Sequence, residues 1–143
     1  MIKYQKILQK NMLNVLIDIL IDIKRNGLSN NNHLYITFLT NHFNVRLPEW
    51  IKEKYPEEMT IVIQHEYYNL EIKEKKFSIT LSFNNIKTNL IIGYDSIISF
   101  ADPSANFGLI LQEKKIQNKK RKNIENNRHE ENNIINFSNY KKN

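Results

Sequence analysis

The spacing of apolar residues changes twice along this chain, and those changes set what it can fold into. Over residues 4–26, Ile7, Leu8, Met12, Val15, Leu16, Ile19, Leu20 and Ile23 recur with the 3.6-residue period of a helix. Gly27 stands where a helix C-terminus needs a residue free to take a positive φ. Leu13, Ile17 and Ile21 add a second apolar line. A helix apolar on more than one side must bury more than one side. Two arrangements do so: deep burial under a sheet, or packing on its own domain and on a second subunit.

After the loop Asn30-Asn31-Asn32 the period drops to two. His33–Thr40 sets Leu34, Ile36 and Phe38 against Tyr35, Thr37 and Leu39, and predicts a strand. Asn41–Pro48 reads as an irregular connection, and Glu49–Tyr55 as a short helical turn stopped by Pro56. Met59–Tyr68 and Phe77–Phe83 read as strands, with Asn84-Asn85 as a turn before a strand over Lys87–Tyr94. Ile97–Ala101 reads as a fifth strand or a short turn, and Phe107–Leu111 as a short final strand. One helix followed by a meander predicts an α+β fold with an antiparallel sheet or small barrel.

From Gln112 the pattern stops. Residues 113–133 are mostly Lys, Asn, Glu, Arg and Gln, and such a segment cannot bury enough apolar surface to offset its ordering entropy, so disorder is expected. Apolarity returns at Ile134, Ile135, Phe137 and Tyr140, either as an inert end or as a short docking motif. Charge follows the same division. Residues 1–112 carry 12 basic and 11 acidic side chains, and residues 113–143 carry 9 and 4, so nearly all of the net +6 belongs to the tail. A nucleic-acid-binding domain more often places its charge on the folded face. The Lys119–Lys122 cluster has no interleaved aromatics; it is a solvated stretch or, alternatively, a weak salt-sensitive nucleic-acid contact.

Several classes of chemistry lack their residues. The chain has no cysteine, which removes disulfides, thiolate catalysis and the usual structural zinc sites. None of His33, His42, His65 and His129 pairs with another ligand at helical spacing, and no metal is expected. Three glycines are too few for most nucleotide cradles, so no cofactor is expected. No nucleophile–base pair is legible, and the chain is read as a non-enzyme. No run of about 18 apolar residues is present, so no membrane span is expected. Met1-Ile2-Lys3-Tyr4 leads into the helix without a small-residue cleavage site, and a cytoplasmic protein is expected. The segment Ile63-Gln64-His65-Glu66-Tyr67-Tyr68 interrupts clean alternation with an amide, an imidazole, a carboxylate and two phenols. It is either an exposed strand face or a groove wall, where Gln64 offers both a donor and an acceptor to a peptide.

Three stretches carry a resemblance: KEKYPEEMTIVIQHEYYNL (52–70), LSFNNI (81–86) and FADPSANFGLIL (100–111). Together with HLYITF (33–38), they closely resemble the alphaproteobacterial branch of the stringent starvation protein B family, over roughly residues 3–112. That family supplies specificity-enhancing adaptors for the ClpXP protease. The resemblance implies an N-terminal helix on an Sm-like β-sheet or partial barrel, a homodimer, and a groove for the tag that trans-translation adds to stalled nascent chains. It places that groove on Ile61–Tyr68 and Phe77–Phe83, with Gln64 as first tag contact and His65, Glu66, Ile79, Leu81 and Phe83 as further contacts. It further implies a C-terminal motif that docks on the ClpX N-terminal domain. Here Ile134, Ile135, Phe137, Tyr140, Lys141 and Lys142 have a similar layout, with Asn136 and Asn139 as departures. The expected organisation is a tag-binding domain over 1–112, a linker over 113–133 and a docking motif over 134–143. Tagged substrates, ClpX and a second copy of the chain are the partners implied; nucleic acid and membrane are not. The alternative reading is an Sm-like RNA-binding protein with a basic tail, for which fold analogy alone is a poor warrant.

Overall fold

The computed structural model describes residues 1–29 and 31–112. The long helix α1 spans Tyr4–Asn26, the predicted bounds. It ends because Gly27 takes φ 77° and turns its N–H back onto Ile23 O at 2.8 Å, satisfying one of the last carbonyls. The strands that follow are β1 (Leu34–Leu39), β2 (Val45–Arg46), β3 (Glu58–Ile63), β4 (Tyr68–Ile72), β5 (Lys76–Phe83), β6 (Ile86–Gly93), β7 (Ile97–Asp102) and β8 (Phe107–Ile110). The short helix α2 (Glu49–Lys54) lies between β2 and β3.

The strands form two four-stranded antiparallel sheets, ordered β3-β1-β7-β8 and β2-β6-β5-β4. The α+β class therefore stands, but the connectivity is not a meander. β1 sits between β3 and β7, strands distant in sequence, because its own face (Leu34, Ile36, Phe38) is apolar enough to be central. Inward residues of both sheets and one line of α1 meet in a single apolar core. Leu16 and Leu20 from α1, Ile36, Phe38 and Phe100 from the first sheet, and Phe77, Ile79 and Leu90 from the second are fully buried. The turn Asn84-Asn85 has φ 52° and 67°, the doubly positive geometry that tightens a two-residue hairpin, and it sets Phe83 opposite Ile86.

Three expectations need correction. The connection Asn41–Pro48 contains β2, whose two residues pair with Ile91 and Ile92 of β6; a two-residue strand is too short to leave a periodic signal. Residues 59–68 are not one strand. The chain leaves the first sheet after Ile63 and re-enters as β4 in the second, a strand the sequence reading did not contain. Continuing the inward row Met59, Ile61, Ile63 would have put His65 in the core without a partner, so the chain bends there instead. Finally, the second apolar line of α1 is only half-buried at Leu13, Ile17 and Ile21. The most exposed apolar line lies elsewhere: Tyr4, Ile7, Leu8 and Val15 are 73, 54, 40 and 38 % exposed, at spacings that share one helix face.

Tyr94, between β6 and β7, ties the ends of the second sheet together. Its hydroxyl donates to Lys73 O at 2.8 Å, its N–H donates to Lys75 O, and its ring stacks on Phe77 at 6.2 Å. Burial raises the phenol above its ordinary value because the phenolate would lose solvation. The neutral form is thus favoured in the folded state, and stability should be full below pH about 10 and fall as the unfolded chain ionises above it. Tyr94→Phe should lower stability by about 1 kcal/mol near neutral pH, the net worth of one hydrogen bond, and flatten that alkaline fall. Urea unfolding from neutral to strongly alkaline pH tests both effects.

Candidate functional site

The feature with most chemistry on its surface is the crossing between the two sheets. β3 pairs only with β1, and β4 only with β5, so each is an edge strand among the described residues. Gln64, His65 and Glu66 form the bend that joins them, and Tyr67 leads into β4. Two edges with unpaired backbone groups are therefore brought together by one polar segment, a setting in which an extended peptide finds both main-chain and side-chain partners.

Each side chain of the crossing has a distinct place. Gln64 is half-buried, yet its amide makes no hydrogen bond among the described residues. An amide has two donors and two acceptor sites, so this one is open to an incoming ligand. His65 and Glu66 are exposed. Tyr67 packs against the core and anchors the bend. Tyr68 is 37 % exposed, with the Lys87 ammonium 4.4 Å from its ring centroid in cation–π geometry. Asn69 has φ 54° and makes a bulge: Tyr68 lies opposite Thr80 but Glu71 opposite Ser78, one residue out of step. This bulge lets Tyr68 face outward while Leu70 faces the core. Asn89 donates to Thr80 Oγ1 at 3.1 Å, continuing a polar outer face across β5 and β6.

The expected contacts on β5 divide. Ile79 and Leu81 are 0 and 4 % exposed, with side chains in the core rather than on the surface. The alternation that made them a face makes it the inner face. Phe83, last in the same row, is half-buried and emerges at the hairpin. There it meets Trp50 of α2 edge-on at 6.4 Å, an aromatic that the sequence reading did not single out. Apolar residues in the short helix 49–55 beside a strand ending in Phe were the available signal. The expected docking residues Ile134, Ile135, Phe137, Tyr140, Lys141 and Lys142 lie outside the described residues, as does the linker 113–133.

Among the described residues no group of three or more His, Asp or Glu side chains is arranged to hold a metal ion, and no helix is long and apolar enough to cross a membrane.

Comparison with protein families matches the chain to the model described as stringent starvation protein B over residues 7–142. The chain belongs to that family. The match covers the crossing, α2 and the hairpin, and runs on through the tail beyond Gln112. Membership is consistent with an adaptor role in ClpXP proteolysis. Comparison with curated proteins gives no match.

Burial distinguishes two kinds of substitution in the family's expected site. Gln64→Ala removes an amide that has no partner among the described residues and should change unfolding free energy by less than about 0.5 kcal/mol. Leu81→Ala opens a cavity and should cost about 2–5 kcal/mol. Thermal denaturation of the two variants checks the contrast.

Proposed function

We propose that this chain is an adaptor that holds the trans-translation tag against the crossing between its two sheets and carries the tagged protein to the ClpX unfoldase. Gln64 is the principal tag contact, with His65, Glu66 and the emergent Phe83 beside it. Ile79 and Leu81 support that surface from beneath. Residues 1–112 are the tag-binding domain, 113–133 the linker, and 134–143 the motif that docks on the ClpX N-terminal domain through Ile134, Ile135, Phe137, Tyr140 and Lys141. The observation that carries the reading is the half-buried Gln64 amide, without a hydrogen-bond partner among the described residues and set between two edge strands in a chain of this family.

The mechanism is tethering. A linker of 21 residues has a root-mean-square span of roughly 25 Å, and joining two modules in this way raises the local concentration of cargo at the unfoldase without any new contact. No bond is made or broken by the adaptor. The exposed line Tyr4, Ile7, Leu8 and Val15 supports a homodimer with α1 at its interface, which would present two tails. Light scattering at micromolar concentration should then give twice the 17.1 kDa chain mass, and Ile7→Glu/Val15→Glu should reduce it to the monomer value.

Gln64→Ala should weaken tag-peptide binding by about 1–3 kcal/mol, because truncation leaves the peptide's buried polar groups unpaired. Deleting 134–143 should leave tag affinity unchanged while abolishing stimulated degradation of a tagged substrate by ClpXP. Fluorescence titration and a degradation assay at sub-saturating substrate separate the two steps. Stimulation that survives the deletion would overturn the tether, and single-stranded RNA competing for the tag site would favour the RNA-binding alternative.

A further inference from the structure

Residues 1–112 are nearly neutral as a whole, yet their charges are sorted between the two sheets. The second sheet and its β4–β5 turn hold Arg46, Lys73, Lys75, Lys76 and Lys87 against Glu71 and Glu74. The first sheet and the segment 49–57 hold Glu49, Glu53, Glu57, Glu58 and Asp102 against Lys52 and Lys54. Sorting of this kind gives one side of a small domain a positive potential that its total charge conceals.

Strand register fixes which of these cations share a surface. Ile79 and Leu81 of β5 face the core, so Lys76, Ser78, Thr80 and Ser82 alternate with them on the outer face. Across β6, Lys87 lies opposite Ser82, Asn89 opposite Thr80 and Ile91 opposite Ser78, and Arg46 of β2 lies opposite Ile91 in turn. On the other side of β5, Tyr68 lies opposite Thr80 and Glu71 opposite Ser78. Arg46, Lys76 and Lys87 are exposed and make no ion pair among the described residues. Glu71 is the carboxylate of this array, and the Lys24 ammonium of α1 neutralises it at 3.1 Å. Arg46 and Lys87 are one strand and four residues apart, about 14 Å, so the positive surface is longer than a single anionic group.

We propose that the outer face of the second sheet binds single-stranded RNA. The cations Arg46, Lys76 and Lys87 meet the phosphates. Tyr68 is 37 % exposed and meets a base, since every base has a face that stacks on an aromatic ring. The Lys87 ammonium, 4.4 Å from the centroid of that ring, puts a phosphate partner directly beside a base partner. Between the cations and the ring lie the hydroxyls of Ser78 and Ser82, which make no hydrogen bond among the described residues, and the Asn89 amide, whose Nδ2 donates to Thr80 Oγ1 at 3.1 Å. Hydroxyls and amides of this kind pair with the ribose 2′-hydroxyl, the group that separates RNA from DNA. An acidic peptide would satisfy the cations and leave the ring without a stacking partner. The contact is separate from the adaptor reading: Gln64, Glu66 and Phe83 take no part in it.

The test titrates the full chain into a fluorescein-labelled uridine oligonucleotide of about ten residues, within the site size of one small sheet domain, and reads anisotropy over a series of salt concentrations. Every variant keeps the basic tail, so differences between variants belong to the sheet, and far-UV circular dichroism confirms that each has the same fold. Arg46→Gln/Lys87→Gln should lower the slope of log affinity against log salt by about 1.4, the amount expected for two lost phosphate contacts on a single strand. Tyr68→Ser should weaken binding at least about fivefold at every salt concentration and leave that slope unchanged, while Tyr68→Phe keeps the affinity of the natural chain. An unchanged slope in the double variant, or equal affinity of the Tyr68→Ser variant and the natural chain, would overturn the site. Polyglutamate that displaces the oligonucleotide as well as unlabelled RNA does would overturn it in favour of an acidic protein partner. Deoxyuridine oligonucleotide binding as tightly as its ribose counterpart would overturn the choice of RNA. Neither tag nor unfoldase enters this measurement, so its failure leaves the adaptor reading standing, and failure of the degradation assay leaves the RNA contact standing.

Discussion

Everything described in this molecule depends on the burial of one helical line against two sheets at once. Met12, Leu16, Leu20 and Ile23 of α1 share a core with inward residues of both sheets. Each such side chain fully removed from water is worth about 1.5–3 kcal/mol, more than any hydrogen bond or ion pair on the surface contributes. The ion pair Lys24–Glu71, at 3.1 Å, is largely exposed on both sides and merely pins the helix end beside β4. Two small sheets that cannot each bury a face alone are joined because they share this filling.

Sharing a core has a geometrical consequence for the surface. A chain that serves both sheets must cross from one to the other, and where it crosses between edge strands it cannot satisfy its polar groups by ladder pairing. The segment Gln64–Tyr67 is one such crossing, held at one side by the end of β3 and at the other by Tyr67 against the core. Its polarity is therefore compatible with folding, and the half-buried Gln64 amide has no hydrogen-bond partner among the described residues. Another crossing, through α2, carries an apolar patch rather than a polar bend, where Trp50 meets the last inward residue of β5. Surfaces of two different chemistries thus arise from one architectural need.

Much of this was legible in the residues themselves. The helix 4–26 with its glycine cap, the hairpin at Asn84-Asn85 and the alternation of β1 and β5 rest on local signals that tertiary packing did not override. What was misread shares a cause. Ile61, Ile63 and then Tyr67 and Tyr68 look continuous to a pattern with period two, and only the competing cost of burying His65 breaks the run. β2 has two residues and exists because β6 offers it partners. Trp50 gained significance only by proximity to Phe83, 33 positions away in sequence.

The sequence by itself determined the α+β class, the lack of thiol chemistry and, through long contiguous motifs, the family. Those properties reside in composition, periodicity and order, which need no partner to be read. The tertiary structure alone decided which side of each strand faces water, placing Ile79 and Leu81 in the core while bringing Phe83 and Gln64 to the surface. It also decided that β1 lies between β3 and β7, and that the unpartnered stripe of α1 runs through Tyr4, Ile7, Leu8 and Val15. The physical reason is that a period specifies a face but not what covers it. Which face is buried depends on apolar area contributed by residues far away in sequence, and that area exists only once the chain has folded.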